Sequence, residues 1–416
     1  MCLHVSDGRV TDVELTIFEP PRFFEAMLRG RGHTEPPDIT ARICGICPVA
    51  YQTSACHAIE DACGVTVPEH IERLRRVLYC GEWVGSHALH VHMLHLPDFL
   101  GYDSALAMAA DHREIVERGL RLKKAGNAVM TVIGGRAVHP VNVRVGGFYR
   151  LPTPEEVASM RATLTRARDD ALDTATFVGT LDMPAMEQPY EYAALRAPDR
   201  YPIESGEVVT TLGRRGSARD YDGWVREEHV ERSTALHATL EGDGPYVTGP
   251  LARYTLNSDR LSPLAREAAT AAGLGTTCRN PFQSLAVRAV EMVYACDEAL
   301  SILSTWDGGG EPFVEVPPAD GVGYGVTEAP RGLLLHRYRL AADGTVLDAR
   351  IVPPTSQNQA AVEADLRAFV QARLDEGLDL DRDLEALTRQ CELAIRNYDP
   401  CISCATHFLD LTVVQE

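Results

Sequence analysis

Positive charge is scarce in this sequence. Its 40 lysines and arginines stand against 59 aspartates and glutamates, a formal net charge of −19 over 416 residues. So acidic a chain repels a phosphate backbone or an anionic lipid surface, which excludes nucleic acid and membrane as partners. Long apolar runs are missing too: none approaches the roughly 18 residues that a membrane span needs. No leader of the secretory kind opens the chain. The 11 cysteines are therefore expected as free thiols in a reducing, cytoplasmic compartment rather than as disulfides. A G-x-G-x-x-G motif is also lacking, so Gly134-Gly135 and Gly146-Gly147 do not point to a phosphate cradle.

What is present is a pair of C-x-x-C motifs at opposite ends of the chain. One is Arg42-Ile43-Cys44-Gly45-Ile46-Cys47-Pro48, the other Asp399-Pro400-Cys401-Ile402-Ser403-Cys404-Ala405-Thr406-His407. That spacing lets two thiolates reach one metal ion. If the fold joins the two ends, four thiolates converge. A structural zinc fits four thiolates, but zinc ribbons close their ligands over a few tens of residues. Nickel, iron or an iron–sulfur cluster fits the same soft ligands. Spacing alone leaves these open. Cys2, Cys56, Cys63, Cys80, Cys278, Cys296 and Cys391 fall outside both motifs and are expected to pack as small hydrophobes.

The paired motifs resemble the signature of the large, catalytic subunit of nickel–iron hydrogenases. The flanks Ile17 to Glu25, Pro48 to Gln52 and His139 to Gly147 resemble its NAD(P)-linked, sulfhydrogenase-type branch, and the likeness runs over nearly the whole chain. The resemblance implies that Cys44 and Cys401 bind nickel terminally and that Cys47 and Cys404 bridge nickel to an iron carrying two cyanides and one carbon monoxide. It implies heterolytic cleavage of H2, with the Cys401 thiolate as first proton acceptor. Arg331, in Pro330-Arg331-Gly332, matches the arginine that overhangs the metals, and a planar guanidinium there could contact cyanide and polarise hydrogen. Thr355 matches the hydroxyl that hydrogen-bonds a cyanide. Glu25 and His407 match the ligands of a Mg2+ ion; for Glu25 the residue type alone reads as a solvated acid in the first turn of a helix. Tyr51 stands where many members have histidine.

Outside the motifs no cysteine group could hold a cluster. The resemblance therefore implies a small iron–sulfur subunit, a flavin (FAD) subunit reducing NAD(P) and a further ferredoxin-like subunit, with iron–sulfur clusters only in those partners. It also implies a maturation protease that cuts after His407, although Phe408 to Val413 alternates as a β-strand does. The family's R-x-E-G-x glutamate, a proton relay, precedes the segment with which this sequence begins. Glu14 is the nearest acid but does not match that pattern.

The expected fold class is α+β, mostly helical, a hydrogenase-large-subunit-like core with small β regions forming one unit. Residues 1–20 read as a β-hairpin turning at Asp7-Gly8. Residues 21–183 read as helical core with the first C-x-x-C. The hydrophobic period predicts helices from Arg22 to about Arg29, Val49 to Cys63, 68–97, Ser104 to Thr131 and 154–177. Ile71, Leu74, Val77, Leu78 and Val84 form the buried stripe of the 68–97 helix. His87, His90, His92 and His95 follow on it without a carboxylate or thiol beside them, which points to packing rather than a second metal. Residues 184–260 read as a β-containing insertion. In 261–416 the helices are Pro263 to Leu274, Asn280 to Leu303, Ala360 to Glu376 and Asp383 to Arg396, with 308–325 as loop, a hairpin at Asp343-Gly344, then the second C-x-x-C and the tail. The Gly146-Gly147 pair is expected to let backbone approach the metal core. Two other classes compete: a structural zinc protein, and a cofactor-less relative such as the quinone-site subunit of respiratory complex I, which lacks the four cysteines.

Overall fold

The computed structural model describes residues 1–17, 21–400 and 409–415, so Cys401, Cys404 and His407 lie outside the described residues. Four long helices build the core: Glu69–Ala88, Arg113–Gly134, Pro154–Val178 and Ser284–Ser304. Small residues set how closely they pack. A Cβ on Gly126 would meet the Gly81 carbonyl oxygen at 2.5 Å, so the first two helices cross backbone to backbone. The ends are written locally. Thr153 and Glu156 form a capping box, and Gly135 at φ 86° terminates Arg113–Gly134.

The expected 68–97 helix is not uniform. It changes to a π-helical turn over Leu89–His95, and Pro97 then starts the short helix Leu96–Leu100 instead of ending the run. The stripe from Ile71 to Val84 is buried as expected. The turn carries three histidines with distant partners. His90 and His95 reach the backbone carbonyls of Arg396 (2.8 Å) and Leu393 (3.2 Å), and His92 meets Thr174 at 3.2 Å. His90 and His95 dock the helix Leu384–Arg396, which leads to the second C-x-x-C, onto the core, while His92 ties the turn to Pro154–Val178. The expected helix from Ser104 is also broken: Ser104 caps only Ala105–Met108, and a new helix starts at Arg113.

Beside the bundle lies an antiparallel sheet of Gly321–Ala329, Gly332–Leu340 and Val346–Val352, in that order. Its first strand begins inside the stretch read as loop. The helix Pro48–Ala62 lies across this sheet, because Gly323 and Gly325 leave room for it. A Cβ on either would meet the carbonyl oxygens of Ala58 (1.9 Å) or Ser54 (2.3 Å). Between 184 and 260 the strands Ala193–Arg196, Glu207–Thr210, Arg215–Gly216, Val225–Glu228 and His237–Leu240 make two small sheets. The Gly146-Gly147 pair does permit close approach, but to the segment 312–314, whose carbonyl oxygens a Cβ would meet at 2.1 and 2.4 Å, and not to the candidate site.

The hairpin forms as read, from Cys2–Ser6 and Arg9–Glu14. Thr412–Gln415 adds a third strand, parallel to the first, with Cys2 opposite Thr412 and Val5 opposite Gln415. Of the alternating stretch Phe408 to Val413 only Thr412 and Val413 fall in this strand; Leu409 to Leu411 precede it without regular structure, and Phe408 lies outside the described residues. Cys56, Cys80, Cys278, Cys296 and Cys391 are buried as expected of small hydrophobes, whereas Cys2 and Cys63 are only half-buried.

Candidate metal centre

The first C-x-x-C spans the turn between two helices, Pro36–Thr40 and Pro48–Ala62. Pro48 pre-sets the first helical φ and leaves Cys47 as the cap residue. The Ile46 and Cys47 amides both donate to Cys44 Sγ at 3.4 Å. A hydrogen bond from the Cys47 thiol, helped by the Arg331 guanidinium and these amides, draws the Cys44 thiol down to about 5 against the cost of burial. Cys47 moves the other way, well above the ordinary thiol range. The two thiols titrate as a unit, with negative charge favoured on Cys44 over Cys47. Gly45 is not sterically required, since a Cβ there would meet nothing within 4 Å.

Arg331 occupies the two-residue turn joining Ala329 to Gly332, the registered ends of the first two sheet strands. Its Nη1 lies 3.7 Å from Cys44 Sγ and 4.0 Å from Cys47 Sγ. Its Nε and Nη2 grip the Asp399 carboxylate at 2.9 and 3.2 Å, a bidentate contact on a nearly buried side chain. Asp399 has φ 49°, a left-handed backbone that asparagine and aspartate tolerate better than other non-glycine residues. One guanidinium therefore joins the first thiol pair to the residue two positions before Cys401. The turn itself is held from behind. Arg253 donates to the carbonyls of Ala329 (2.8 Å) and Pro330 (2.9 Å) while bound to Glu291 and Glu328.

Glu25 is buried, not solvated, and lies in the second turn of its helix, Pro21–Leu28. Its oxygens accept from the Ile351 amide (2.8 Å) and from Arg22 (3.0 Å). Thr355 is not in a loop. It sits in the first turn of the helix Pro354–Asp375, where backbone N–H groups lack intrahelical partners. That helix start is anchored near the Arg331 turn, since Gln357 donates to the Leu333 carbonyl at 2.6 Å. Tyr51 is buried with its ring 5.7 Å from that of His336. His139 at φ 49° closes the loop over the first motif by reaching the Ala41 carbonyl at 2.7 Å. Cys401, Cys404 and His407 fall outside the described residues.

Sequence reasoning missed three groups. Asp399 stood in the motif without a role. Arg253 gave no local signal. Glu82 had one: it follows Leu78 by four residues and so falls on the apolar stripe of its helix. Its carboxylate accepts from the Val49 and Ala50 amides at 2.6 and 3.1 Å, closing the helix start behind Cys47. Burial pushes its carboxyl well above the usual range against those two donors. As a donor set, soft sulfurs under a fixed cation suit a thiolate-bound transition metal, and the guanidinium offsets part of the thiolate charge.

Comparison with known proteins agrees with this chemistry. Residues 22–118 and 247–407 match the family model described as nickel-dependent hydrogenase. The alpha subunit of sulfhydrogenase 1 from Pyrococcus furiosus is 34% identical over 413 residues, 98% of this chain and 94% of that one. The beta subunit of the NAD-reducing hydrogenase HoxS from Cupriavidus necator is 27% identical, covering 97% of this chain and 90% of its own. Among solved structures, an NAD+-reducing [NiFe]-hydrogenase in the H2-reduced state superposes with a TM-score of 0.84 at 27% identity, covering 96% of this chain and 94% of that one.

Proposed function

The chain belongs to the nickel-dependent hydrogenases as a catalytic large subunit, and from that premise we propose that Cys44, Cys47, Cys401 and Cys404 hold its nickel–iron centre. The observation that supports this reading is the Arg331 bridge between the first thiol pair and Asp399. When bound, the centre supplies the Lewis acidity and hydride affinity that split H2 heterolytically. The chain's own residues do the rest. The Cys401 sulfur takes the first proton. Arg331 presents a fixed, nearly dry cationic fork over the thiolates, and Asp399 keeps it aimed. Thr355 and the helix start beside it offer hydroxyl and N–H donors to the iron's cyanides. Glu25, with His407, holds a Mg2+ ion through a hard, buried carboxylate.

Relatives with subunit names imply that this chain works in a multi-subunit enzyme. We place it in the NAD(P)-linked branch. There, electrons leave through a small iron–sulfur subunit, and a ferredoxin-like subunit, to a flavin subunit that reduces NAD(P). Reduction of NAD(P) would place the enzyme in the cytoplasm; among the described residues no helix is long and apolar enough to cross a membrane. A maturation protease removing residues 408–416 belongs to the same proposal. Infrared spectroscopy with metal analysis of the native complex tests it. We expect nickel, iron and bands of metal-bound cyanide and carbon monoxide. One tightly bound zinc and no nickel would overturn the assignment in favour of a structural site.

A further inference from the structure

A second set of metal-ligating side chains stands apart from the candidate centre, on the N-terminal hairpin. Cys2 and His4 are two residues apart on one strand, so their side chains share a face. Glu14 lies directly opposite Cys2 on the neighbouring strand and joins that face. The opposite face holds Leu3, Val5 and Val13, all buried, which fixes the hairpin against the core. The ligand atoms of Cys2, His4 and Glu14 all lie within 4.8 Å of one another, and each side chain is half-buried.

We propose that Cys2 Sγ, His4 Nε2 and a Glu14 carboxylate oxygen bind one divalent zinc-class cation. The distances fit. Cys2 Sγ lies 3.5 Å from His4 Nε2. With Zn–S near 2.3 Å and Zn–N near 2.0 Å, a tetrahedral ion holds those two atoms about 3.5 Å apart. The charge also fits: a thiolate and a carboxylate neutralise a dication, and imidazole adds none. The mixed sulfur, nitrogen and oxygen set favours zinc over magnesium or calcium. Three protein ligands leave one position for water. The nearest competitor for Glu14 is Arg232 at 4.0 Å, which is held more closely by Glu363 at 3.1 Å. The bound ion would staple the two hairpin strands, and the first of these is the one that Thr412–Gln415 joins.

The test is metal analysis of nickel-loaded enzyme supplied with zinc chloride. Wild type should hold about one zinc per chain more than the Cys2→Ser variant, at equal nickel content. His4→Ala and Glu14→Gln should each weaken zinc binding at least about tenfold, since loss of even an outer-sphere partner costs that much. Retained nickel shows that each variant has folded. As a second arm, cobalt(II) added to a chain with Cys44, Cys47, Cys401 and Cys404 all changed to serine should give a thiolate charge-transfer band that Cys2→Ser abolishes. A zinc-to-nickel ratio unchanged by Cys2→Ser, or no zinc in wild type, would overturn the site.

Discussion

Arg331 does two jobs that a lysine could not combine. Its Nη1 faces two sulfurs while Nε and Nη2 hold both oxygens of Asp399. An ammonium is a point charge without that planar fork, so it can satisfy the carboxylate or lie over the thiolates, not both. Arg331→Lys is expected to retain nickel and iron but to slow H2 turnover at least about 100-fold, some 2.7 kcal/mol on the barrier. Hydrogen uptake with a dye acceptor, normalised to nickel, measures it. A rate within about threefold of wild type would take Arg331 out of the chemistry.

At the scale of elements, the helix Pro48–Ala62 decides where the first thiol pair sits. Two features fix it: the glycines beneath it and the carboxylate at its start. In Gly323→Ala the new methyl would stand 1.9 Å from the Ala58 carbonyl oxygen, so helix and sheet must separate. Overpacking of this kind costs about 1–3 kcal/mol or more. Lower thermal stability, together with loss of nickel, is the expected result; an unchanged melting temperature would contradict the packing. At the helix start, Glu82→Gln replaces one acceptor oxygen with a donor. One of the Val49 and Ala50 amides then faces an NH2 group, at a cost of about 1–3 kcal/mol for a buried unsatisfied donor. Urea unfolding of the variant checks the figure.

Across the whole molecule, buried titratable groups pull stability in opposite directions with pH. Burial holds His336 and His92 near 3, below the ordinary 6.5, so they remain neutral in the folded state. Their contribution is complete above about pH 6.5 and is lost as pH falls below it, because the unfolded chain takes up the proton first. Burial raises Glu328 to about 7 and Asp365 to about 6. There the folded state keeps the proton longer, so stability falls as pH rises from the ordinary carboxyl range towards 6 and 7. The two sets offset one another, and single substitutions separate them. His336→Asn keeps an acceptor for the Tyr338 hydroxyl, which lies 2.7 Å from His336 Nδ1. Between pH 6 and 4.5 the variant should lose stability less steeply than wild type, by up to about 1.4 kcal/mol per pH unit, one proton's worth. Urea midpoints across that range decide it; parallel curves would mean that His336 is already charged when folded.

Residue order alone determined whatever depends on neighbours in the chain. The Asp7-Gly8 turn, the Thr153/Glu156 cap, the buried stripe from Ile71 to Val84 and the thiol spacing of Cys44 and Cys47 are all local, because turn chemistry, caps and periodicity act over a few residues. Such rules could not foresee where a regular run gives way. The π-turn at Leu89–His95 carries histidines that reach carbonyls some 300 residues away, and the helix holding Thr355 is anchored on the sheet through Gln357. Nor could they show that Glu25 is buried. The pairing of Arg331 with Asp399 spans 68 residues, and that of Glu82 with the Val49 amide spans 33. Nothing in local spacing encodes either pairing. Each forms only when the packed sheet and helix bundle bring charge and partner together and exclude the water that would otherwise satisfy them both.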